Sequence, residues 1–210
     1  ASKICESLAY ETGCRFENVL PFSTGVIGEE LDYRLIVNQI PKALSSVSDE
    51  GWMDAAEAIM TTDTFPKVRS KKFSLGNNTH TVTGICKGSG MIRPDMATML
   101  AYIATDADVS EALLNDIGQT VLQSSFNRIT VDGEMSTNDA VVFIATGRVG
   151  SQRITDKSDP NYLQLLSSVG EVCSELAKDI VRDEMVTKII NAYDSYDYQI
   201  KDLFDQKTNR

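Results

Sequence analysis

Two uncharged apolar runs constrain the fold of this chain most, because each has the length of a buried β-strand. They cover residues 99–104 and 140–145. Amphipathic helical patterns accompany them, one at residues 110–125 and a longer one that begins after Asp159 and Pro160. Strands that alternate with helices predict a layered α/β domain, in which we expect residues 140–145 to form a central strand buried on both faces.

Shorter elements are predicted from turn residues and from periodicity. Gly76, Asn77 and Asn78 predict the turn of a β-hairpin with arms at residues 71–75 and 79–85. Further helices are expected over residues 2–14, 31–44 (with a break at Pro41) and 51–60, and further strands over residues 18–22, 126–132 and 184–191. The longest helix is expected to bury Leu163, Leu166, Val169, Val172, Cys173, Leu176 and Ile180.

Length and charge narrow the class of partner. The chain has 210 residues, enough for one large domain or two small ones, and a formal net charge of −10. That charge argues against nucleic acid or an anionic membrane as the main partner. No apolar stretch reaches the ~18 residues of a transmembrane helix, and no signal peptide is visible at the start. We therefore expect a soluble, cytoplasmic protein that handles small molecules.

Metal, disulfide and histidine-based chemistry are not expected. The four cysteines form no Cys-x-x-Cys pair and have no histidine nearby, which favours reduced, partly buried thiols. The single histidine, His80, follows the predicted hairpin turn. We expect it to decorate an arm of the hairpin, because a Ser-His-Asp triad would have to be assembled around it.

A glycine-rich loop leads into the first apolar run, and a threonine stands where polar sequence becomes apolar. The loop follows Lys87, turns at Pro94 and reaches Ala97 and Thr98. A threonine hydroxyl needs a base in order to attack a carbonyl. Cleavage between Ala97 and Thr98 would give Thr98 a free α-amine, with a pKa of about 7.7–8.0, to serve as that base. The residues alone also fit a threonine that only caps a strand.

Two other polar stretches are candidate binding segments. Residues 23–28 include two glycines, which let backbone N–H groups point at a ligand, although an ordinary tight turn has the same composition. Residues 61–64 hold three threonines and one aspartate, which fits either a ligand site or a solvated loop. Lys87 could hold a carboxylate, whereas the spacing of a Walker A lysine is absent.

Six blocks of sequence, taken together, resemble the bifunctional ornithine acetyltransferase, or glutamate N-acetyltransferase, family of arginine biosynthesis. The blocks are STGVIGE (23–29), AIMTTDT (58–64), KGSGMIRPDMATML (87–100), ATDA (104–107), SFN (125–127) and DGEMSTND (132–139), in this order. They cover most of residues 1–190. The resemblance implies an α/β fold, part of a layered α-β-β-α sandwich of the ornithine acetyltransferase / DmpA-like type.

The same resemblance implies an acyltransferase that moves the acetyl group of N-acetylornithine to glutamate through an acetyl-threonine intermediate. It implies self-cleavage between Ala97 and Thr98, with Thr98 as the nucleophile. Thr24 and Gly25 carry over as the pair that stabilises the oxyanion, which needs donors held in place before the charge develops.

Substrate-binding positions carry over as well, at Thr61, Lys87, Thr98 and Glu184. A hydroxyl and an ammonium suit the α-carboxylate and acetamide of an acetylated amino acid. The partners implied are N-acetylornithine and glutamate, with no metal and no cofactor, and with acetyl-coenzyme A as an alternative acetyl donor. A homo-oligomer of cleaved α/β pairs is expected, with neither nucleic acid nor a membrane as partner.

The chain departs from the family pattern near its end. Where the family reads VRDGEGATK, residues 181–188 read VRDEMVTK, so one residue and both glycines are missing around Glu184. The division expected is an α-chain-like part at 1–97, a β-chain-like part at 98–191 and a divergent tail at 192–210. A related N-terminal-nucleophile amidohydrolase and a catalytically incomplete family fragment remain alternatives.

Overall fold

The computed structural model describes residues 1–22, 28–89, 99–130, 139–184, 186–188 and 190–192. The chain divides into two compact units, Ala1–Trp52 and Met53–Arg210. The family-based division is of another kind, since residue 97 marks the expected cleavage and residue 191 the expected end of family similarity, and it stays a prediction.

The first unit is helical. Helix α1 (Ser2–Thr12) ends at Gly13, whose φ of 69° is the left-handed conformation that closes many helices. Helix α2 (Tyr33–Ser45) begins at Asp32, whose side chain accepts a hydrogen bond from the Arg34 N–H. The two helices pack against each other.

The second unit contains a four-stranded sheet and two long helices. In chain order its elements are α3 (Trp52–Ala58, which begins at the unit boundary), β1 (Lys67–Leu75), β2 (Asn78–Lys87), β3 (Leu100–Thr105), α4 (Glu111–Ser124), β4 (Ala140–Ala145) and α5 (Tyr162–Val181). The predicted mixed α/β architecture is therefore confirmed. The described residues show one sheet of the expected sandwich with one layer of helices.

The register of the sheet brings distant parts of the chain to one edge. The strand order is β1-β2-β3-β4, with β1, β2 and β3 antiparallel in turn and β3 parallel to β4. At one end of the sheet Lys67 pairs with Cys86, Lys87 pairs with Leu100, and Leu100 pairs with Ala140. The end of β2 and the beginnings of the other three strands therefore meet at the same edge.

Helices α4 and α5 cover one face of the sheet, and two glycines let them come close. A Cβ at Gly84 in β2 would lie 2.9 Å from Leu176 Cδ1 of α5. A Cβ at Gly118 in α4 would lie 2.9 Å from the ring of Phe143 in β4. Because both positions lack a side chain, the helices pack directly on the strands and bury one continuous apolar core.

Several sequence predictions are confirmed and several are wrong. The hairpin, the strand after the glycine-rich loop and helices α1 and α4 lie where they were expected. Residues 126–128 form a 3-10 helix instead of starting a strand. The strand expected at 18–22 is absent, because residue 18 ends another 3-10 helix, Phe16–Asn18, and residues 19–22 have no regular secondary structure. Residues 184, 186–188 and 190–192 are helical rather than extended. Short apolar runs do not distinguish a strand from a turn or a buried helix.

Two further expectations are wrong. Pro41 lies inside α2 instead of breaking it. Strand β4 was expected at the centre of the sheet, yet among the described residues it pairs with β3 alone, and its residues are half-buried or exposed. An apolar run specifies a strand, but the number of its neighbours depends on the rest of the sheet.

The buried face of α5 differs from the one expected. Leu163 was placed in the core but is 69% exposed, whereas Leu165 is fully buried. The helix begins at Tyr162, and its core-facing side follows Leu165, Val169, Val172, Cys173, Leu176 and Ile180. Both leucines fit a stripe with the period of a helix. Periodicity alone therefore does not decide which of the two neighbouring faces is buried.

The cysteines and the histidine lie mostly in the interior. All four cysteines are free, as expected, and only Cys14 is exposed. Burial raises the pKa of Cys86 and raises that of Cys173 to about 12. His80 lies in the hairpin, as expected, but its side chain is fully buried, with Nδ1 3.2 Å from Asp106 Oδ1. Among the described residues, none of the helices combines the length and the apolar character needed to cross a membrane.

The observed register of α5 predicts opposite outcomes for two neighbouring leucines. Leu165→Ala should lower the free energy of unfolding by about 2–5 kcal/mol, because it empties a buried site. Leu163→Ala should change it by about 0.5 kcal/mol or less, because the side chain is exposed. Denaturant titration of both variants measures the difference, and equal losses would contradict the register.

Candidate functional site

The candidate site lies at the edge of the sheet where β2 ends. Residues 61–64, between α3 and β1, meet the end of β2 at Lys87, Gly88 and Ser89. Asp183, two residues beyond the end of α5, reaches the same place. Segments more than a hundred residues apart in sequence therefore share one cluster of buried polar side chains.

Asp63 is at the centre of the cluster. Its side chain is 1% exposed. Oδ1 accepts hydrogen bonds from Lys67 Nζ at 2.6 Å and from the Gly88 N–H at 2.7 Å, and Oδ2 accepts one from the Thr61 N–H at 3.4 Å. One carboxylate thus holds the backbone on both sides of the site, at residue 61 and at residue 88.

Lys67, the first residue of β1, joins Asp63 to Asp183. Its Nζ donates to Asp63 Oδ1 and, at 2.8 Å, to Asp183 Oδ2, and none of the three side chains is more than 1% exposed. The ammonium also lies 4.7 Å from the centroid of the Phe65 ring, within the range of a cation–π contact. A lysine buried to this extent needs such partners, because an unpaired charge in the interior is strongly destabilising.

Asp183 binds residue Thr64 with both carboxylate oxygens. Oδ1 accepts from the Thr64 hydroxyl at 2.9 Å, and Oδ2 accepts from the Thr64 N–H at 3.1 Å. Since Asp183 follows α5 directly, these bonds attach the 61–64 segment to the end of the longest helix.

Lys87 has a buried side chain that approaches the same segment. The residue is 2% exposed, and its Nζ donates to Thr61 Oγ1 at 3.5 Å. Nearby, the hydroxyls of Thr62 and Ser89 are hydrogen-bonded at 2.6 Å. Across the sheet edge the Met99 N–H donates to Asp139 Oδ1 at 2.6 Å, which orders the start of β3.

Burial sets the acid–base behaviour of Lys87. Desolvation lowers the pKa of its ammonium from the ordinary value of 10.5, and the charges of Asp63 and Asp139 oppose that shift. A bound carboxylate would stabilise the protonated form, so anion affinity should decrease as the pH rises through the lowered pKa.

The two lysines of the cluster have different partners. Lys67 donates to both Asp63 and Asp183, whereas Lys87 donates to the Thr61 hydroxyl and is influenced by the charges of Asp63 and Asp139. We therefore expect an arriving carboxylate to meet the ammonium of Lys87 and the hydroxyl of Thr61. No set of side chains suited to a metal ion occurs in the part of the chain that the structure describes.

The structure brings two of the predicted site residues into contact, and a third follows a residue of the cluster in the sequence. Thr61 and Lys87 are in contact. Glu184 is exposed, directly after the buried Asp183. Thr24, Gly25, Ala97 and Thr98 lie outside the described residues, so their roles stay predictions.

Sequence reasoning missed Lys67 and Asp183 and gave Asp63 no role of its own. A signal for Asp63 existed, since a carboxylate among three threonines often binds backbone N–H groups. Lys67 stands four residues later, but no helix joins the two positions, so their spacing predicted nothing. Asp183 belongs to a family motif, residues 181–188, in which Glu184 was the predicted substrate contact and Asp183 was given no role.

Comparisons with known proteins agree with the resemblance. The chain matches the ArgJ family over residues 1–193. It is 47% identical over 191 residues to the "Arginine biosynthesis bifunctional protein ArgJ" of Psychrobacter arcticus and 49% identical over 191 residues to that of Pseudomonas syringae pv. tomato. Each alignment covers 90% of this chain and 47% of the relative, so the chain spans about half the length of the curated relatives it matches. A crystal structure of the arginine biosynthesis bifunctional protein from Bacillus halodurans aligns with 34% identity over 39% of this chain and 38% of that chain, at a TM-score of 0.37.

The coupling between Lys87 and Asp63 predicts a further change in the lysine's pKa. Asp63→Asn removes the larger of the two effects that oppose desolvation, so the pKa of Lys87 should fall below its wild-type value, itself below 10.5. The pH dependence of the Lys87 side-chain NMR signals measures both values. Asp108→Asn is the control, because Asp108 lies beyond the other end of β3 and pairs with Arg153 at 3.4 Å. An unchanged pKa of Lys87 in the Asp63→Asn variant would contradict the coupling.

Proposed function

This chain belongs to the ArgJ family, and from that membership we propose that it carries an acetyl-transfer site of arginine biosynthesis. The reaction proposed moves the acetyl group of N-acetylornithine to glutamate. The observation that carries the proposal is the contact between the buried Lys87 and the exposed Thr61, with Lys87 shortly before Thr98 in the sequence.

The proposed chemistry is a two-step acyl transfer. Thr98 Oγ attacks the acetyl carbonyl carbon of N-acetylornithine, and the α-amine of Thr98, freed by cleavage after Ala97, takes the hydroxyl proton. The Thr24 hydroxyl and the Gly25 N–H stabilise the oxyanion. The bond to nitrogen breaks, ornithine leaves with a proton on its amine, and acetyl-Thr98 remains. The amine of glutamate then attacks this ester and regenerates the threonine.

Substrate binding in this proposal depends on the described part of the site. The ammonium of Lys87 and the hydroxyl of Thr61 would receive the carboxylate of the acetylated amino acid, as an ion pair with a hydrogen bond beside it. Glu184 stays a predicted substrate contact, and its exposed carboxylate suits the cationic end of ornithine. The steps require neither a metal ion nor a cofactor, and acetyl-coenzyme A would serve as an alternative acyl donor.

Two observations about the same residue test the proposal. Intact-mass measurement of the expressed chain should show two fragments, residues 1–97 and 98–210, and the cleaved protein should transfer acetyl from N-acetylornithine to glutamate. Thr98→Ala should abolish both cleavage and transfer, because the nucleophile is lost. Thr120→Ala is the matched control, since Thr120 lies on the exposed side of α4 and its hydroxyl donates to the Asp116 carbonyl at 2.8 Å.

Other outcomes separate the alternatives. Cleavage with release of free acetate, whether or not glutamate is present, would indicate a hydrolase. An unbroken chain without transfer would contradict the proposed activity and leave a family fold without its chemistry. Cleavage at the same bond in Thr98→Ala would exclude Thr98 as the nucleophile.

A further inference from the structure

The hydrogen bonds of the cluster form a continuous path from α5 to the proposed substrate contacts. Asp183 binds Thr64 through both of its oxygens and binds Lys67 through Oδ2. Lys67 in turn binds Asp63, which holds the N–H groups of Thr61 and Gly88. Every link is at most 3.4 Å, and each carboxylate in the path is buried.

The two N–H groups at the end of this path belong to the proposed substrate contacts or adjoin them. Thr61 is itself one contact, through the side-chain hydroxyl that accepts from Lys87, and Gly88 directly follows the other contact, Lys87. Residues 61–66 belong to no helix or strand, so regular secondary structure does not hold Thr61 in place. The side chains of Asp63 and Asp183 supply the bonds that a helix or sheet would otherwise provide.

We propose that Asp183 is a positioning residue, which through Thr64, Lys67 and Asp63 sets the placement of Thr61 and Lys87. The inference rests on the proposed function only in taking these two residues as the carboxylate contacts. Asp183 itself bonds backbone and side-chain groups of the protein, while Glu184 beside it is exposed. In this proposal Asp183 positions the residues of the site, whereas Glu184 is exposed and available to the substrate.

Charge and hydrogen bonding make separable contributions, so two variants are needed. Asp183→Asn keeps the shape of the side chain but removes one negative charge from the cluster, which should lower the pKa of Lys87. Thr64→Val keeps every charge and removes only the 2.9 Å bond from the hydroxyl to Asp183 Oδ1. Only the second variant separates placement from electrostatics, and Thr64→Ser restores the hydroxyl.

A matched control lies one turn earlier in α5. Asp179 is a buried carboxylate, 5% exposed, and accepts from Arg69 at 2.7 Å. Asp179→Asn therefore removes an ion pair of a buried carboxylate from the same end of the helix, and the partners of Asp179 are Arg69, 43% exposed, and Arg182 rather than residues 61–64. It should lower stability without changing the site.

The test measures binding and the lysine pKa in the same set of variants. Titration calorimetry with N-acetylornithine is done in a Thr98→Ala background, so that turnover does not interfere. Thr64→Val should weaken binding about tenfold, because it removes a hydrogen bond to a charged group from the path that places Thr61 and Lys87. NMR should show a changed Lys87 pKa in the same variant, and Thr64→Ser should recover both values.

The outcomes distinguish this inference from the proposed function. Unchanged affinity in Thr64→Val, or an unchanged Lys87 pKa, would overturn the positioning role of Asp183, as would equal effects of Asp179→Asn. If the unaltered site fails to bind N-acetylornithine while the Lys87 pKa still shifts in Thr64→Val and recovers in Thr64→Ser, the positioning role stands and the proposed substrate is wrong.

Discussion

The buried ammonium of Lys67 is the interaction on which the rest of the site depends. Two carboxylates that are far apart in sequence, Asp63 and Asp183, share this one cation. None of the three side chains is more than 1% exposed, so solvent does not stabilise their charges. Pairs of this kind add little net stability compared with apolar packing, but the loss of one partner is strongly destabilising. The cluster therefore acts chiefly on geometry, since it permits one arrangement of the segments that supply its members.

The topology of the sheet explains why these segments meet. Because β1 runs antiparallel to β2 and begins opposite its end, Lys67 lies beside Cys86, and Lys87 lies beside Leu100. The parallel pairing of β3 with β4 brings Asp139 to the same edge, where it binds the Met99 N–H. Helix α5 packs along β1 and β2 and ends over this edge, which delivers Asp183.

Local sequence patterns predicted much of this arrangement. The predictions that are wrong or missing concern features that depend on contacts between distant parts of the chain. The hairpin, the strand after the glycine-rich loop and helix α4 followed from turn residues and periodicity, which are properties of the chain itself. The edge position of β4 and the choice of Leu165 over Leu163 depend on what packs against them. Thr61 and Lys87 were found through resemblance to a family. Lys67 and Asp183 were not, because a buried ion pair between residues 116 positions apart leaves no local mark.

Amide hydrogen exchange at Thr64 and Gly88 tests the organising role of the cluster most directly. Both N–H groups donate to buried carboxylates, at 3.1 Å and 2.7 Å, and both lie outside the strands. If the cluster holds the site rigidly, these amides should exchange nearly as slowly as those of β2 and β3 in the core of the sheet. Exchange as fast as that of the exposed turn at Asn77 would show that the cluster opens freely and would contradict the account.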